Sequence, residues 1–332
     1  MFCQQVNYKY KILTLNFSII IPVYNRPNEI DELLESLTKQ EYSDTFEVLL
    51  IEDGSTKKSE LIADKYVSKL DLKYFFKENS GAGASRNFGM ENASGNYFII
   101  LDSDVIVPTQ YLTEVKKSLE NNFTHAFGGP DTAHSSFTPL QKAINYAMTA
   151  VLTTGGIRGK KNAVGTFQPR SFNFGLSQKA FKITKGFSTM RNGEDIDLTF
   201  RLWESGFETQ LIEKAFVYHK RRSTIQQFFK QTFGFGSARP TLNRKYPETA
   251  KFTYWFPTMF IIGIDLSIIC MFFGYYQFLY FYGVYFLILF LDSLFKNKNL
   301  IVAFLSIITS FTQFLGYGLG FLESLLFAKK EV

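Results

Sequence analysis

The stretch Phe98–Pro108, FIILDSDVIVP, decides how the chain is read. An apolar run with the character of a buried strand stops at Asp102 and Asp104, with only Ser103 between them. Residues two apart on an extended chain send their side chains to the same face, so the two carboxylates meet at the strand end. Like charges placed together are unfavourable without something positive between them. A divalent cation meets that need, because Mg2+ and Mn2+ prefer oxygen ligands and commonly take one or two carboxylates with phosphate oxygens. The competing reading is a turn whose aspartates cap the backbone after the strand.

Working outward, apolar strand-like runs alternate with amphipathic helical stretches from Phe17 onward, which predicts an α/β domain with a largely parallel sheet. FSIIIPVYN is a strand, and PNEIDELLESLTKQ is a helix with Pro27 suited to its first turn and Ile30, Leu33, Leu34 and Leu37 on one face. FEVLLIEDGS is a second strand ending in Asp53 and Gly54, KSELIADKYVSKL a helix, DLKYFFKEN a strand and ASRNFGMENAS a short helix. In an open parallel sheet, ligands bind beyond the carboxyl ends of the strands. The residues expected there are Tyr24 and Asn25, Asp53 and Gly54, and Asp102 and Asp104.

Three further segments carry chemistry. NSGAGASRNFG (Asn79–Gly89) combines glycines that permit close backbone approach with Arg86, a donor to phosphate or carboxylate. It is no Walker loop, since neither GKS nor GKT follows, and no GxGxxG follows the first strand. RNGEDIDLTFRLWESG (Arg191–Gly206) places Glu194, Asp195 and Asp197 at the start of a helix. The helix dipole alone accounts for such clustering, while a carboxylate is also the usual group to deprotonate a sugar hydroxyl. VYHKRRST supplies His219, either a packed histidine or a further metal ligand.

The chain has 332 residues, a formal net charge of +6 and 46% hydrophobic content, enough for more than one structural unit. From Phe252 to Phe295 the only formal charges are Asp265 and Asp292, and Leu300–Phe327 contains only Glu323. About 20 apolar residues suffice for a helix to cross a bilayer. Three spans are expected, about 255–274, 278–295 and 300–327; the alternatives are a hairpin in one leaflet or buried soluble helices. Residues 1–15 read as a tail, 16–250 as the α/β domain and 252–332 as the membrane region, with 219–251 a basic amphipathic segment at the membrane interface. No secretory signal is apparent after Lys9 and Lys11. Arg239, Arg244, Lys245 and Lys251, then Lys296 and Lys298, favour a cytosolic face, while Lys329 and Lys330 oppose that pattern. Cys3 and Cys270 do not suggest a disulfide. The position of the basic segment favours membrane lipid over nucleic acid as its partner.

Taken in order, SIIIPVYNRP, VLLIEDGST, SGAGASRNFGMENASGNYFIILDSDVIVP, FNFGLSQKAF, GFSTMRNGEDIDLTFRLWESG and VYH resemble the family 2 glycosyltransferases, inverting enzymes of the GT-A fold. The resemblance covers roughly Phe17 to Arg239. It implies a GT-A (Rossmann-like nucleotide-sugar-binding) domain followed by a C-terminal α-helical transmembrane region, a UDP-sugar donor and Mn2+ or Mg2+. By it, Pro22, Tyr24 and Arg26 lie around the base, Asp53 holds the base edge, and Arg86 lies beside the nucleotide. Asp102 and Asp104 take the ribose and metal roles, with His219 a further metal ligand. Asp195 takes the place of the catalytic base, flanked by Glu194 and Asp197 for acceptor binding. QQFFKQTFGFGSAR lacks the Arg-Trp pair of processive polysaccharide synthases, which favours transfer of one or a few sugars to a lipid-linked or glycan acceptor. A polyprenyl-phosphate glycosyltransferase acting on a lipid phosphate, a processive polysaccharide synthase and a non-catalytic nucleotide-sugar-binding scaffold are the alternatives.

Overall fold

The computed structural model describes residues 14–155 and 167–327; Cys3, Lys9, Lys11, Lys329 and Lys330 lie outside the described residues. The chain runs β1 (Phe17–Val23), α1 (Pro27–Thr38), β2 (Phe46–Asp53), α2 (Glu60–Asp64), β3 (Asp71–Lys77), α3 (Ala82–Asn92) and β4 (Tyr97–Leu101). Then come β5 (Val105–Ile106), α4 (Tyr111–Asn121), β6 (Ala126–Gly128), β7 (Asp131–Thr132), α5 (Pro139–Thr149), α6 (Val151–Thr154), β8 (Asn173–Ser177) and α7 (Gln178–Thr184). The remainder is α8 (Glu194–Glu204), β9 (Thr209–Leu211), β10 (Val217–His219), α9 (Ile225–Lys245), α10 (Phe256–Phe272), α11 (Gln277–Asn297) and α12 (Leu300–Phe327).

Seven strands form one sheet in the order β3-β2-β1-β4-β8-β6-β9. The first four are parallel, while β8 runs antiparallel to both β4 and β6. Every residue of β1 and β4 is buried, as expected of strands covered on both faces. Helices pack on each side: Ile30, Leu33, Leu34 and Leu37 of α1 join one core, and Met90 of α3 with Leu198 and Leu202 of α8 join the other. The chain passes from β1 to β2 on one side and places β4 on the other, so a crevice opens beyond the carboxyl ends of these strands.

KSELIADKYVSKL is less helical than its sequence predicts. Only Glu60–Asp64 forms a helix, followed by turns. Ala63, Tyr66 and Leu70 reach the core, whereas Leu61 and Val67 are exposed, so there is too little apolar face to extend the helix.

A second sheet of three strands, β5-β10-β7, closes over the end of the large one. Its register sets His219 opposite Val105, and Lys220 N donates to the Asp104 carbonyl at 2.9 Å. This pairing brings His219 beside Asp104 across more than a hundred residues of chain.

The C-terminal region contains three helices long and apolar enough to cross a membrane, Phe252–Phe272 with its leading turn, Gln277–Asn297 and Leu300–Phe327. They differ in packing. α10 and α11 leave most apolar side chains exposed, among them Ile262, Leu266, Ile269, Phe281, Val284 and Leu287. α12 is sheathed on one face along its length by the α/β domain and α9. Thr309 Oγ1 donates to the Ala143 carbonyl of α5 at 3.1 Å, Gln313 Nε2 to Thr153 of α6 at 3.4 Å, and Arg244 of α9 to the Ser324 carbonyl at 3.5 Å. Gly316 and Gly320 permit the approach of α9, for a Cβ at either would collide with Thr232 or with the Phe233 carbonyl. The basic segment is therefore a layer between the sheet and the apolar helices, with Phe228, Gly236 and Leu242 buried.

Candidate active site

At the end of β1, Asn25 takes a left-handed backbone (φ 55) that asparagine tolerates, and its Oδ1 accepts from the backbone N–H groups of Thr56 and Lys57 at 2.9 Å each. That clamp ties the β1 end to the β2 end. Pro22 is buried in β1, and Tyr24 is 52% exposed at the mouth of the crevice. Asp53 closes β2. Its Oδ1 accepts from Lys77 Nζ and from Ser80 N at 2.9 Å, and its Oδ2 from Gly81 N at 2.9 Å. Burial opposes ionisation of Asp53, but these donors prevail and hold its pKa below the ordinary value. One acceptor position on Oδ2 is left over from these three bonds. Gly54 (φ 71) is required here, because a Cβ would meet the backbone of Asn79 at 2.7 Å.

Asp102, Asp104 and His219 each offer a ligand atom within 4.8 Å of the others. His219 Nε2 lies 3.2 Å from Asp104 Oδ1, and its Nδ1 lies 3.7 Å from Asp131 Oδ2. Asp131 in turn pairs with Arg221, itself bonded to Asn145 Oδ1 at 3.0 Å. Two carboxylates and an imidazole, with a third carboxylate, Asp131, behind the imidazole, form a donor set that suits Mn2+ and also admits Mg2+. Burial disfavours charge on His219, but Asp104 and Asp131 outweigh it and raise its pKa; Asp104 is held well below the carboxylate range by His219 and Arg26 despite its burial.

Cations surround this pair. Arg26 is ion-paired with Asp104, which turns it toward the acid pair, and Arg222 Nη1 lies 3.9 Å from Asp104. Arg86 Nη2 meets Asp102 Oδ1 at 2.8 Å. Three guanidinium groups thus converge on the acid pair, Arg86 being shared with Glu194, and guanidinium groups so placed can receive a polyanion such as a diphosphate.

Arg86 is the hinge of the site. Buried over the ring of Phe187, it donates from Nη2 to Asp102 and from Nη1 to Glu194 Oε1, both at 2.8 Å. Its Nε has no hydrogen-bond partner among the described residues. A single side chain thus joins the acid pair after β4 to the start of α8. Glu194 is pushed up to about 7, first by burial and then by the charge of Asp195, with Arg86 pulling the other way. Asp195 Oδ1 accepts from the Ile196 N–H at 2.8 Å and Oδ2 from Ser171 N at 3.3 Å, with Arg170 Nη1 4.0 Å away. Gly193 (φ 83) supplies the left-handed turn into the helix.

Asp197 does not join them. Its side chain is fully buried, and its carboxylate accepts from Arg201 Nε at 2.9 Å, Tyr246 Oη at 2.9 Å and Lys245 Nζ at 2.5 Å. Asp197 thus lies apart from Asp195, since residues two apart on a helix face different sides. Sequence reasoning passed over Asp131, Arg221, Lys77 and Arg170. For Arg221 the signal was the KRR run directly after His219; Asp131 lies in a two-residue strand whose partner only the fold reveals.

Comparison with known proteins bears on the family and the fold. The family described as Glycosyl transferase family 2 matches residues 18–186. An uncharacterized glycosyltransferase of Rickettsia conorii is 44% identical over 110 residues, 32% of this chain and 18% of that protein, so the match spans a small part of that relative. Succinoglycan biosynthesis protein ExoA of Rhizobium meliloti is 25% identical over 227 residues, 67% of this chain and 68% of the relative. The mannosyltransferase PcManGT of Pyrobaculum calidifontis, solved with GDP-Man and Mn2+, has the same fold, with a TM-score of 0.59 at 15% identity over 94% of this chain and 87% of that one.

Proposed function

Since the chain belongs to glycosyl transferase family 2, we propose that it transfers a sugar from a UDP-sugar to a hydroxyl of a lipid-linked or glycan acceptor, with inversion, at the cytoplasmic face of a membrane. The observation that carries this reading is the Arg86 bridge. It sets the acid pair Asp102 and Asp104 on one side and the Glu194–Asp195 turn on the other, as a donor diphosphate and an attacking hydroxyl require.

In this reading Asp53 offers its remaining acceptor position to the N–H edge of the base, with Tyr24 alongside. Asp102, Asp104 and His219 hold Mn2+ or Mg2+, and Asp131 orients the His219 ring through Nδ1. A bound divalent ion supplies charge stabilisation for the departing diphosphate. Arg26, Arg86 and Arg222 add their own positive charge at the same place. Asp195 takes the proton of the acceptor hydroxyl. Its bond from Ile196 N–H fixes the carboxylate at the helix start, and Glu194 stays engaged with Arg86.

The test is a panel of UDP-sugars with the full chain, Mn2+ and a membrane lipid extract, read as UDP release and sugar transfer. Metal-dependent release from one donor that is lost in Asp104→Asn supports the reading. UDP binding without hydrolysis or transfer under any acceptor favours a scaffold role, and a preference for GDP over UDP overturns the base.

A further inference from the structure

The seam between the catalytic unit and the apolar helices holds a cation that the donor site does not use. Arg239, on α9, is 6% exposed and stacks 4.0 Å from the centre of the Tyr254 ring. Its Nη1 has no hydrogen-bond partner, and among the described residues it makes no ion pair. A buried guanidinium without an anion is unfavourable, and an aromatic face compensates for that only in part. The arrangement is one anion short.

Two neighbours point to where that anion belongs. Tyr317 of α12 lies beside Arg239 and within Coulombic reach of Arg170, and Arg170 Nη1 lies 4.0 Å from Asp195. Contacts through glycine keep α9 against the start of α8: Gly193 faces Ala238 and Leu242, and Gly234 faces Asn192. Ala238 and Leu242, which flank Arg239 in α9, therefore lie against the turn that leads into Asp195. On the outer side, Phe256, Met259 and Leu319 are exposed on α10 and α12 and offer an apolar path away from the seam.

We propose that Arg239 and Arg170, both within reach of Tyr317, receive the phosphate or diphosphate group of a lipid-linked acceptor at the junction of α9 and α12. The donor diphosphate does not need them, since Arg26, Arg86 and Arg222 surround the acid pair at the other end of the Arg86 bridge. A lipid phosphate fits the place on both counts: its anion meets the unpaired guanidinium, and its chain follows the exposed apolar faces. The assignment rests on the glycosyltransferase reading and names the acceptor class for that same site.

Binding to the full chain in detergent tests it, with farnesyl diphosphate, farnesyl phosphate, farnesol and inorganic pyrophosphate as probes and UDP with Mn2+ as a separate probe of the donor site. The expected result is that one of the two farnesyl phosphates binds at least tenfold more tightly than farnesol or pyrophosphate. Arg239→Gln and Arg170→Gln each weaken that binding tenfold or more, Arg239→Lys weakens it less, and UDP affinity stays within twofold. Pyrophosphate binding as tightly as the farnesyl probes overturns the lipid source. Unchanged farnesyl diphosphate binding in Arg239→Gln with normal UDP affinity overturns the site. Loss of UDP binding from the wild-type chain counts against the donor reading alone, because the comparison of Arg239→Gln with wild type is read without UDP.

Discussion

Two Asp-x-Asp pairs in this chain are written alike and behave differently. Asp102 and Asp104 stand at the end of a strand, and both reach one cluster with His219. Asp195 and Asp197 stand on a helix: the first faces Ser171 and Arg170, and the second is buried among Arg201, Lys245 and Tyr246. The spacing is identical, and the backbone period decides which acids meet. The first pair converges on one candidate site, whereas the second sends its two members into different surroundings.

The largest effect is expected at the acid that remains in the site. Asp195→Asn should lower transfer by about a thousandfold, within the range for loss of a general base, while UDP affinity stays within about twofold. Full transfer by this variant would remove Asp195 as base and with it half of the contrast. Asp131→Asn sharpens the other half. Outer partners of metal ligands commonly matter by about 10- to 100-fold, so Mn2+ affinity measured by titration should fall by that order while UDP binding without metal is unaffected.

Asp197→Asn then distinguishes scaffold from site. It leaves Lys245 and Arg201 without their buried counter-charge, at a cost of about 3 kcal/mol in folding stability, while transfer per folded molecule is unchanged. A fall in kcat without a fall in Tm would return Asp197 to the site. The smallest effect concerns pH. Glu194 is raised from its ordinary 4.5 to about 7, chiefly by burial. The folded state therefore holds its proton more tightly than the unfolded chain, and the resulting stability, present below pH 4.5, is lost as pH rises through 7. Tm against pH should show that fall in wild type and a flatter profile in Glu194→Gln.

The fold and the acid pair of the candidate site were legible because strands and closely spaced acids are local patterns. FSIIIPV and FIIL announce buried strands, and the turn after FIIL presents two acids whatever lies beyond it. The helix expected at KSELIADKYVSKL was overstated, since local periodicity could not reveal how little core awaited Leu61 and Val67. The basic segment before the hydrophobic tail reads as a membrane-surface helix. In the fold, Gly316 and Gly320 bring it into close contact with α12, a contact that the segment's own pattern does not announce.

By itself, the sequence determined the strand ends, the acid pair, the arginine after the glycine loop and the three long apolar helices, because each depends on residues near one another in the chain. Tertiary structure alone decided that Asp131 lies behind His219, that Arg86 joins Asp102 to Glu194, that Asp197 turns inward and that Arg239 is buried without an anion. Each of these is a meeting of side chains brought together by strand register or helix phase, which spacing along the chain does not encode.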